Sequence, residues 1–345
     1  MSSRRSVSRP PTKGEVGRSK VFTISCYTFG IAVIILVLYI IALIAYRAWP
    51  AIHEHGFGFL AGDNILDNSK SYGILPAIWG TFYSSILALI MGSVFGIAIA
   101  IFLSENLLSS FVFRILQKLG LAYHPFWGRL PENIELFLKN LIELLAAIPS
   151  VVYGFWGLAL VKPVFQPICH WLYNNFGETW GLKLFFGDEL GRFGMFPAAC
   201  VLAIMILPTI AAISRDAMAT VPPKLKEAAY GLGATRWETI FSVTIPTAFT
   251  GIMGGIILAF GRALGETMAL AMLLGNSNTM SGLSLFSNSN TLAAMLANSF
   301  GEASDPNKQA ALMYAALVLL GITLFVNIIG ELIMLRSRMA YKEHR

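Results

Sequence analysis

The chain has 345 residues, 56% of them hydrophobic and 13% charged, with a formal net charge of +6. An ordinary soluble domain carries about 25% charged residues. That deficit, with a mean hydropathy of +0.66, excludes a soluble enzyme and a disordered chain. Six spans of ~20 residues fit into this length together with their loops, but a large soluble domain does not fit beside them.

Taken in chain order, residues 1–20 are rich in Arg, Ser, Pro and Gly and read as a disordered basic cytoplasmic tail near anionic lipid. The first apolar run, residues 21–46, is too long for a signal-peptide core and is expected to be a retained transmembrane helix. It forms residues 21–73 together with an outer loop. A second span covers residues 74–103. The insert that follows, residues 106–133, contains an amphipathic stretch at 107–119 that either lies on the membrane surface or simply connects. The third span is centred on residues 144–161, with an amphipathic approach from Ile134, and the fourth on residues 193–214. The fifth, residues 245–274, is interrupted by Arg262 and Glu266. The sixth, residues 310–335, has Glu331 near its end. Residues 74–335 are thus the core, and residues 336–345 a second cytoplasmic tail. Pro149 and Pro208 fall inside spans three and four, where each is expected to kink its helix. Gly92 with Gly96, and Gly261 with Gly265, have the spacing that lets helices approach closely.

Eighteen of the 25 Lys and Arg residues fall before span one, between spans two and three, between spans four and five, and after span six. Six fall on the opposite side, and Arg262 is the remaining one. This asymmetry places both termini in the cytoplasm. It also accounts for the basic charge as topology, so nucleic acid is not expected as a partner. Cys26, Cys169 and Cys200 show no paired spacing, and Cys26 and Cys200 read as small buried hydrophobes. His53 and His55 lack nearby ligands, so no metal site is assigned, and the spans offer no catalytic set.

The most informative stretch is residues 221–246. Pro222 and Pro223 suit a helix start, good helix formers follow, Gly233 breaks the run, and helical character resumes up to Pro246. Two short helices around a glycine turn are expected, able to present a helix to a soluble partner. Glu227-Ala228-Ala229, three residues, Gly233, nine residues and then Val243-Thr244-Ile245-Pro246 resemble the Glu-Ala-Ala loop of ABC-importer permeases. Two further segments resemble phosphate-importer permeases: residues 142–154, from Ile142 through Pro149 to Gly154, and residues 261–269, which contain Arg262 and Glu266. Ser284-Leu285-Phe286 followed by Asn290-Thr291-Leu292-Ala293 is similar to their last outer loop. Together these segments point to the PstC-type subunit rather than its PstA-type sister.

The resemblance implies an all-α integral membrane protein with six transmembrane helices, the ABC-importer permease fold and a cytoplasmic coupling helix between spans four and five. It implies a non-catalytic subunit of a bacterial inner-membrane importer of inorganic phosphate. Its partners would be a PstA-like permease, two copies of an ATP-binding subunit and an external phosphate-binding protein. Glu227, Ala228, Ala229 and Gly233 would couple the chain to the ATPase. No cofactor is implied in this chain, ATP and Mg being held by the ATPase. The absence of a Gly-x4-Gly-Lys-Ser/Thr loop agrees with a borrowed motor.

Arg262 and Glu266 lie four residues apart, so on a continuous helix they share one face. They would sit about 20 Å along the span, inside the membrane. A charge at the bilayer centre costs at least ~2.5–3.5 kcal/mol, so both must face protein or water. Either they form an intrahelical pair that fixes packing, or they line a pathway in which Arg262 attracts phosphate through its planar fork. Residues 276–290, rich in Ser and Asn, are either a contact for the binding protein or a solvated loop. In the loop between spans three and four, Glu178, Asp188 and Glu189 nearly balance Lys162, Lys183 and Arg192, which offers no strong trap for free phosphate. Sulfate or molybdate are the alternative substrates. A self-powered secondary transporter is the competing class, which has no need of the Glu227–Pro246 loop.

Overall fold

A computed structural model describes residues 13–62, 73–105, 107–118, 130–179, 181–187, 193–280 and 282–343. Its helices are α1 (Lys13–His55), α2 (Gly58–Ala61), α3 (Leu75–Ser104), α4 (Leu107–Lys118), α5 (Leu130–Ala147), α6 (Ser150–Trp156), α7 (Lys162–Phe176), α8 (Lys183–Phe186), α9 (Met195–Ala219), α10 (Pro223–Gly231), α11 (Arg236–Thr239), α12 (Ile245–Leu264), α13 (Met268–Leu273), α14 (Leu292–Phe300) and α15 (Pro306–Glu343). Two π-helical turns, Gly157–Val161 and Ile240–Thr244, join α6 to α7 and α11 to α12. Among the described residues, extended pairing is confined to an isolated bridge between Gly275 and Ser289. Five helical stretches are long and apolar enough to cross a membrane, and a sixth crossing is a bent pair.

The core is a bundle around α9, the most enclosed of these helices. α3 runs parallel to α9, and the expected small-residue spacing is used here. A Cβ on Gly92 would lie 2.9 Å from Ile206, and one on Gly96 2.9 Å from Ile210. Without side chains at these two positions, α3 and α9 approach closely enough for the two isoleucines to fill the seam. α12 runs antiparallel to α9, with Gly251 against Ala217 and Gly255 against Ile213. The other glycine pair behaves differently. Gly261 packs against Asn327 of α15, while Gly265 sits where α12 ends, with only its own helix nearby.

Apolar clusters form at both ends of the bundle. Phe59, Ile74, Leu292, Met295 and Tyr314 join α2, α3, α14 and α15 at one end. Ala100, Met218, Val221 and Ile252 join α3, α9 and α12 at the other. α1 is exposed over most of its length and packs chiefly along α15.

Several boundaries differ from those expected from the sequence. α1 begins at Lys13, so residues 13–20 extend the first span as helix instead of a disordered tail, and residues 1–12 lie outside the described residues. α15 continues to Glu343, so the second tail is mostly helix. Local apolarity is not needed to propagate a helix once it is nucleated, which is why hydropathy starts α1 too late and ends α15 too early. Cys26 is exposed on α1, whereas Cys169 and Cys200 are buried. α9 runs through Pro208 as one helix. Span three, in contrast, bends by 96° at Pro149, which stands before α6 rather than inside a helix. α4 is helical, as its amphipathic pattern suggests, while Trp127, Lys70, Asp188, Glu189 and Arg192 lie outside the described residues.

Candidate functional site

The residue 221–246 loop folds as its sequence dictates. Pro222 and Pro223 open α10, the first by capping and the second at the first helical position. α10 closes in a Schellman turn: Gly233 N–H donates to the Tyr230 carbonyl and Ala234 N–H to the Ala229 carbonyl. Gly233 adopts φ +88°, the left-handed conformation that glycine reaches without a Cβ penalty. Thr235 then starts α11 with a capping box. Its hydroxyl accepts from Glu238 N–H (3.4 Å), and the Glu238 carboxylate accepts from Thr235 N–H (2.6 Å). Hydrogen bonding from Thr235, its backbone N–H first and its side chain second, pulls the Glu238 carboxyl below its ordinary value. Glu227 and Ala228 are exposed and Ala229 is half-buried. Leu232 is 90% exposed, and Trp237 stacks on an exposed Phe241. An ordered loop thus presents apolar side chains outward, the arrangement of a docking surface.

The loop is tied to α3 by a residue that sequence reasoning does not single out. Glu105 caps α3 and is only 9% exposed. Its carboxylate accepts from Lys226 Nζ of α10 at 2.5 Å, and its backbone carbonyl accepts from the Arg236 guanidinium of α11. The partners lie more than a hundred residues apart in the chain, so spacing carries no signal of this pair. A second tie links α9 to α5, where Arg215 pairs with Asp216 at 2.8 Å and reaches Glu143 at 3.8 Å.

The second group of functional residues surrounds two helix breaks. α12 ends at Leu264, with Gly265 as its cap, and the chain restarts as α13 at Met268. The shared helical face expected for Arg262 and Glu266 therefore does not exist. Among the described residues, no ion pair joins them. Each serves one side of the break instead. Glu266 is 9% exposed and accepts from Ala269 N–H at 3.4 Å, placing negative charge at the start of α13. Arg262 stands in the last turn of α12, where helix carbonyls favour a cation. The register of α12 on α9 puts Arg262 level with the middle of α9, and its side chain is exposed on this chain. The sequence signal for the break is Gly265, which apolar periodicity overrides.

The other break is the bend at Pro149. The Tyr153 hydroxyl donates to the Leu145 carbonyl at 2.7 Å, bridging α6 to α5 across the bend. Gly157 faces Val201, and Phe165 packs edge-on against Phe196. This antiparallel register puts Pro149 near mid-α9, the same depth as Arg262. The two breaks are neighbours. Gly154 packs on Ala269 and Met272 of α13. The two segments read separately in the sequence, residues 142–154 and 261–269, thus form one site. Interrupted helices at mid-depth leave backbone polar groups that hydrocarbon cannot satisfy, so they belong where protein or water covers them.

At the end of the bundle away from α10, residues 284–291 are packed rather than a loose solvated loop, whereas Asn276, Asn278, Thr279, Met280 and Gly282 are exposed. Ser284, Phe286, Ser289, Asn290 and Thr291 are buried. The segment accepts from Trp79 Nε1 at Gly282 O (3.0 Å) and from the Tyr83 hydroxyl at Leu283 O (2.6 Å). Thr81 Oγ1 accepts from Leu292 N–H at 3.0 Å. The Ser284, Ser287, Asn290 and Thr291 side chains bond backbone groups of this packed segment and of the start of α14.

Residues 127–338 match the family of binding-protein-dependent transport system inner membrane components. The phosphate transport system permease proteins PstC of Pasteurella multocida and Haemophilus influenzae are each 40% identical to this chain. They align over 89% and 90% of it and over 89% and 91% of their own lengths. The chain belongs to the PstC family of these permeases. The Mesorhizobium japonicum PstC is 37% identical over 90% of this chain and 88% of its own. A permease chain of the MetNI methionine ABC transporter, captured in an inward-facing conformation, aligns with 76% of this chain and 95% of its own. Its TM-score is 0.51 at 15% identity. The shared fold is that of an ABC-importer permease, as the loop and span pattern imply. This permease is therefore a multi-pass membrane transport subunit, and its two structured centres are the α10–α11 loop and the paired helix breaks.

Proposed function

We propose that this chain forms one half of the membrane pathway of an ATP-driven importer of inorganic phosphate in a bacterial inner membrane, with both termini cytoplasmic. The observation that carries the reading is the α10–α11 loop. Its turn and cap hold exposed Leu232 and Trp237 at the end of the bundle where the Lys and Arg residues concentrate. A transporter powered by an ion gradient has no use for such a surface. Two copies of an ATP-binding subunit, carrying ATP and Mg, would dock there and on a PstA-like sister permease, with Glu227, Ala228, Ala229 and Gly233 forming this chain's share of the contact. An external phosphate-binding protein would deliver the ion at the opposite end. Arg262 would attract the phosphate at mid-depth with its permanently charged fork. Glu266, committed to the start of α13, would hold the break open beside it. The support for phosphate over sulfate or molybdate is the likeness to phosphate permeases.

The test is labelled-phosphate uptake in cells or vesicles containing this chain, the sister permease, the ATPase and the binding protein. Uptake should require all four, and excess sulfate should not compete. Uptake by this chain alone would overturn the reading, and competition by sulfate or molybdate would overturn its substrate.

A further inference from the structure

α3 is tied at both ends. At one end, Trp79, Thr81 and Tyr83 hold the packed segment of residues 282–292. At the other, Glu105 holds α10 through Lys226 and α11 through Arg236. Between the ends α3 is an unbroken 30-residue helix seated on α9. A helix resists bending far more than a loop does, so a displacement applied at one end is carried to the other. We infer that Glu105 is the positioning residue through which the α10–α11 loop moves α3, and through α3 the packed segment at the opposite end. This inference rests on the coupling role proposed for the loop.

The chemistry suits that task. A buried carboxylate is tolerable only when paired, and Glu105 meets its cation at 2.5 Å with little water around it. The ion pair resists separation more strongly than an exposed one, so loop and helix end travel together. Two contacts of different kinds, one to the carboxylate and one to the backbone carbonyl, fix orientation as well as distance. Neutralising the side chain leaves the carbonyl contact to Arg236 in place, so the loop stays docked while its grip on α3 loosens.

The experiment uses the assembled importer in sealed vesicles and reads phosphate taken up per ATP hydrolysed. Glu105→Gln should lower that ratio about fivefold or more with assembly unchanged, and Lys226→Met should lower it as far in the complex that assembles, although the carboxylate left unpaired reduces the amount of that complex. The double variant should be no worse than either single, because one contact is removed in all three. Lys226→Arg should restore the ratio. A contact that only stabilises the fold would reduce the amount of assembled complex and leave the ratio untouched. An unchanged ratio in both singles, or losses that multiply in the double, would overturn the inference. Gly233→Val separates the two levels. If it lowers the ratio while the Glu105 and Lys226 variants do not, the clasp alone fails. If none of the three lowers it, the coupling role of the loop fails as well.

Discussion

The α10–α11 loop and the break in span five both turn on a glycine, yet they differ in how openly the sequence shows them. In the loop, each local signal points the same way: prolines at the helix start, glycine after its end, and Thr235 three residues before Glu238. Polar context on both sides leaves no competing pattern. At the break, Gly265 and Glu266 sit inside an apolar run that continues to Leu274, so composition argues for an uninterrupted helix. The structure ends α12 at Leu264 because α13 must turn to pack on α6, through Gly154 against Ala269. Such a tertiary demand leaves no periodic trace. The contrast teaches that a helix end fixed by its own residues is readable, while one fixed by a neighbour is not.

The largest expected effect breaks the comparison at its weaker side. Arg262→Gln should lower phosphate uptake at least about tenfold while the subunit still assembles, because no buried carboxylate loses its partner. Adding Glu266→Gln should not restore transport. Recovery in the double variant, measured at matched membrane levels, would reinstate an Arg–Glu pair and with it a continuous helix.

On the readable side, Gly233→Val should cost at least ~1–2 kcal/mol for placing a β-branched residue at positive φ. Uptake per ATP should fall with it. The space around Gly233 is open, so a Cβ meets nothing within 4 Å. Gly233→Asn, which tolerates this conformation, should therefore stay near wild type. Equal damage from Asn and Val would show that the conformation is not what matters.

A smaller effect tests the α3–α9 seam. Gly92→Ala should destabilise the subunit in detergent by roughly 1–3 kcal/mol through overpacking against Ile206, and Ile206→Val should recover part of the loss. Thermal unfolding of purified protein measures both, and strictly additive losses would place the two residues out of contact. The smallest effect concerns the cap. Thr235→Ala removes one half of the capping box and should cost about 1 kcal/mol, seen as faster hydrogen exchange at the start of α11. Unchanged exchange would mean that the π turn alone secures this end.

How much of the fold was legible follows the same division. Four of the six crossings stand where apolar runs place them, and α10 with its glycine turn forms as the loop pattern implies, whereas the second short helix is continuous with span five. Span three differs, because Pro149 ends a helix instead of kinking it and the Tyr153 hydroxyl secures the resulting angle. Pro208 stands inside the enclosed α9, which carries it as one helix. Of the candidate site, the Glu227–Gly233 residues and Arg262 are visible as types at a spacing. The packing of Gly154 on Ala269, and the pairing of Glu105 with Lys226, depend on contacts between distant segments that one sequence does not encode in any short pattern.

α1 has a further consequence. At 43 residues it is about 65 Å long, roughly twice the ~30 Å hydrocarbon thickness. Its apolar side chains from Phe22 to Leu43 are open to the surroundings of the chain, and α15 alone gives it extended support. Within the bilayer this exposed face needs lipid tails or a neighbouring subunit to cover it. The permease extracted from its bilayer carries a peripheral mast whose stays have been cut, while the bundle around α9 keeps its own packing.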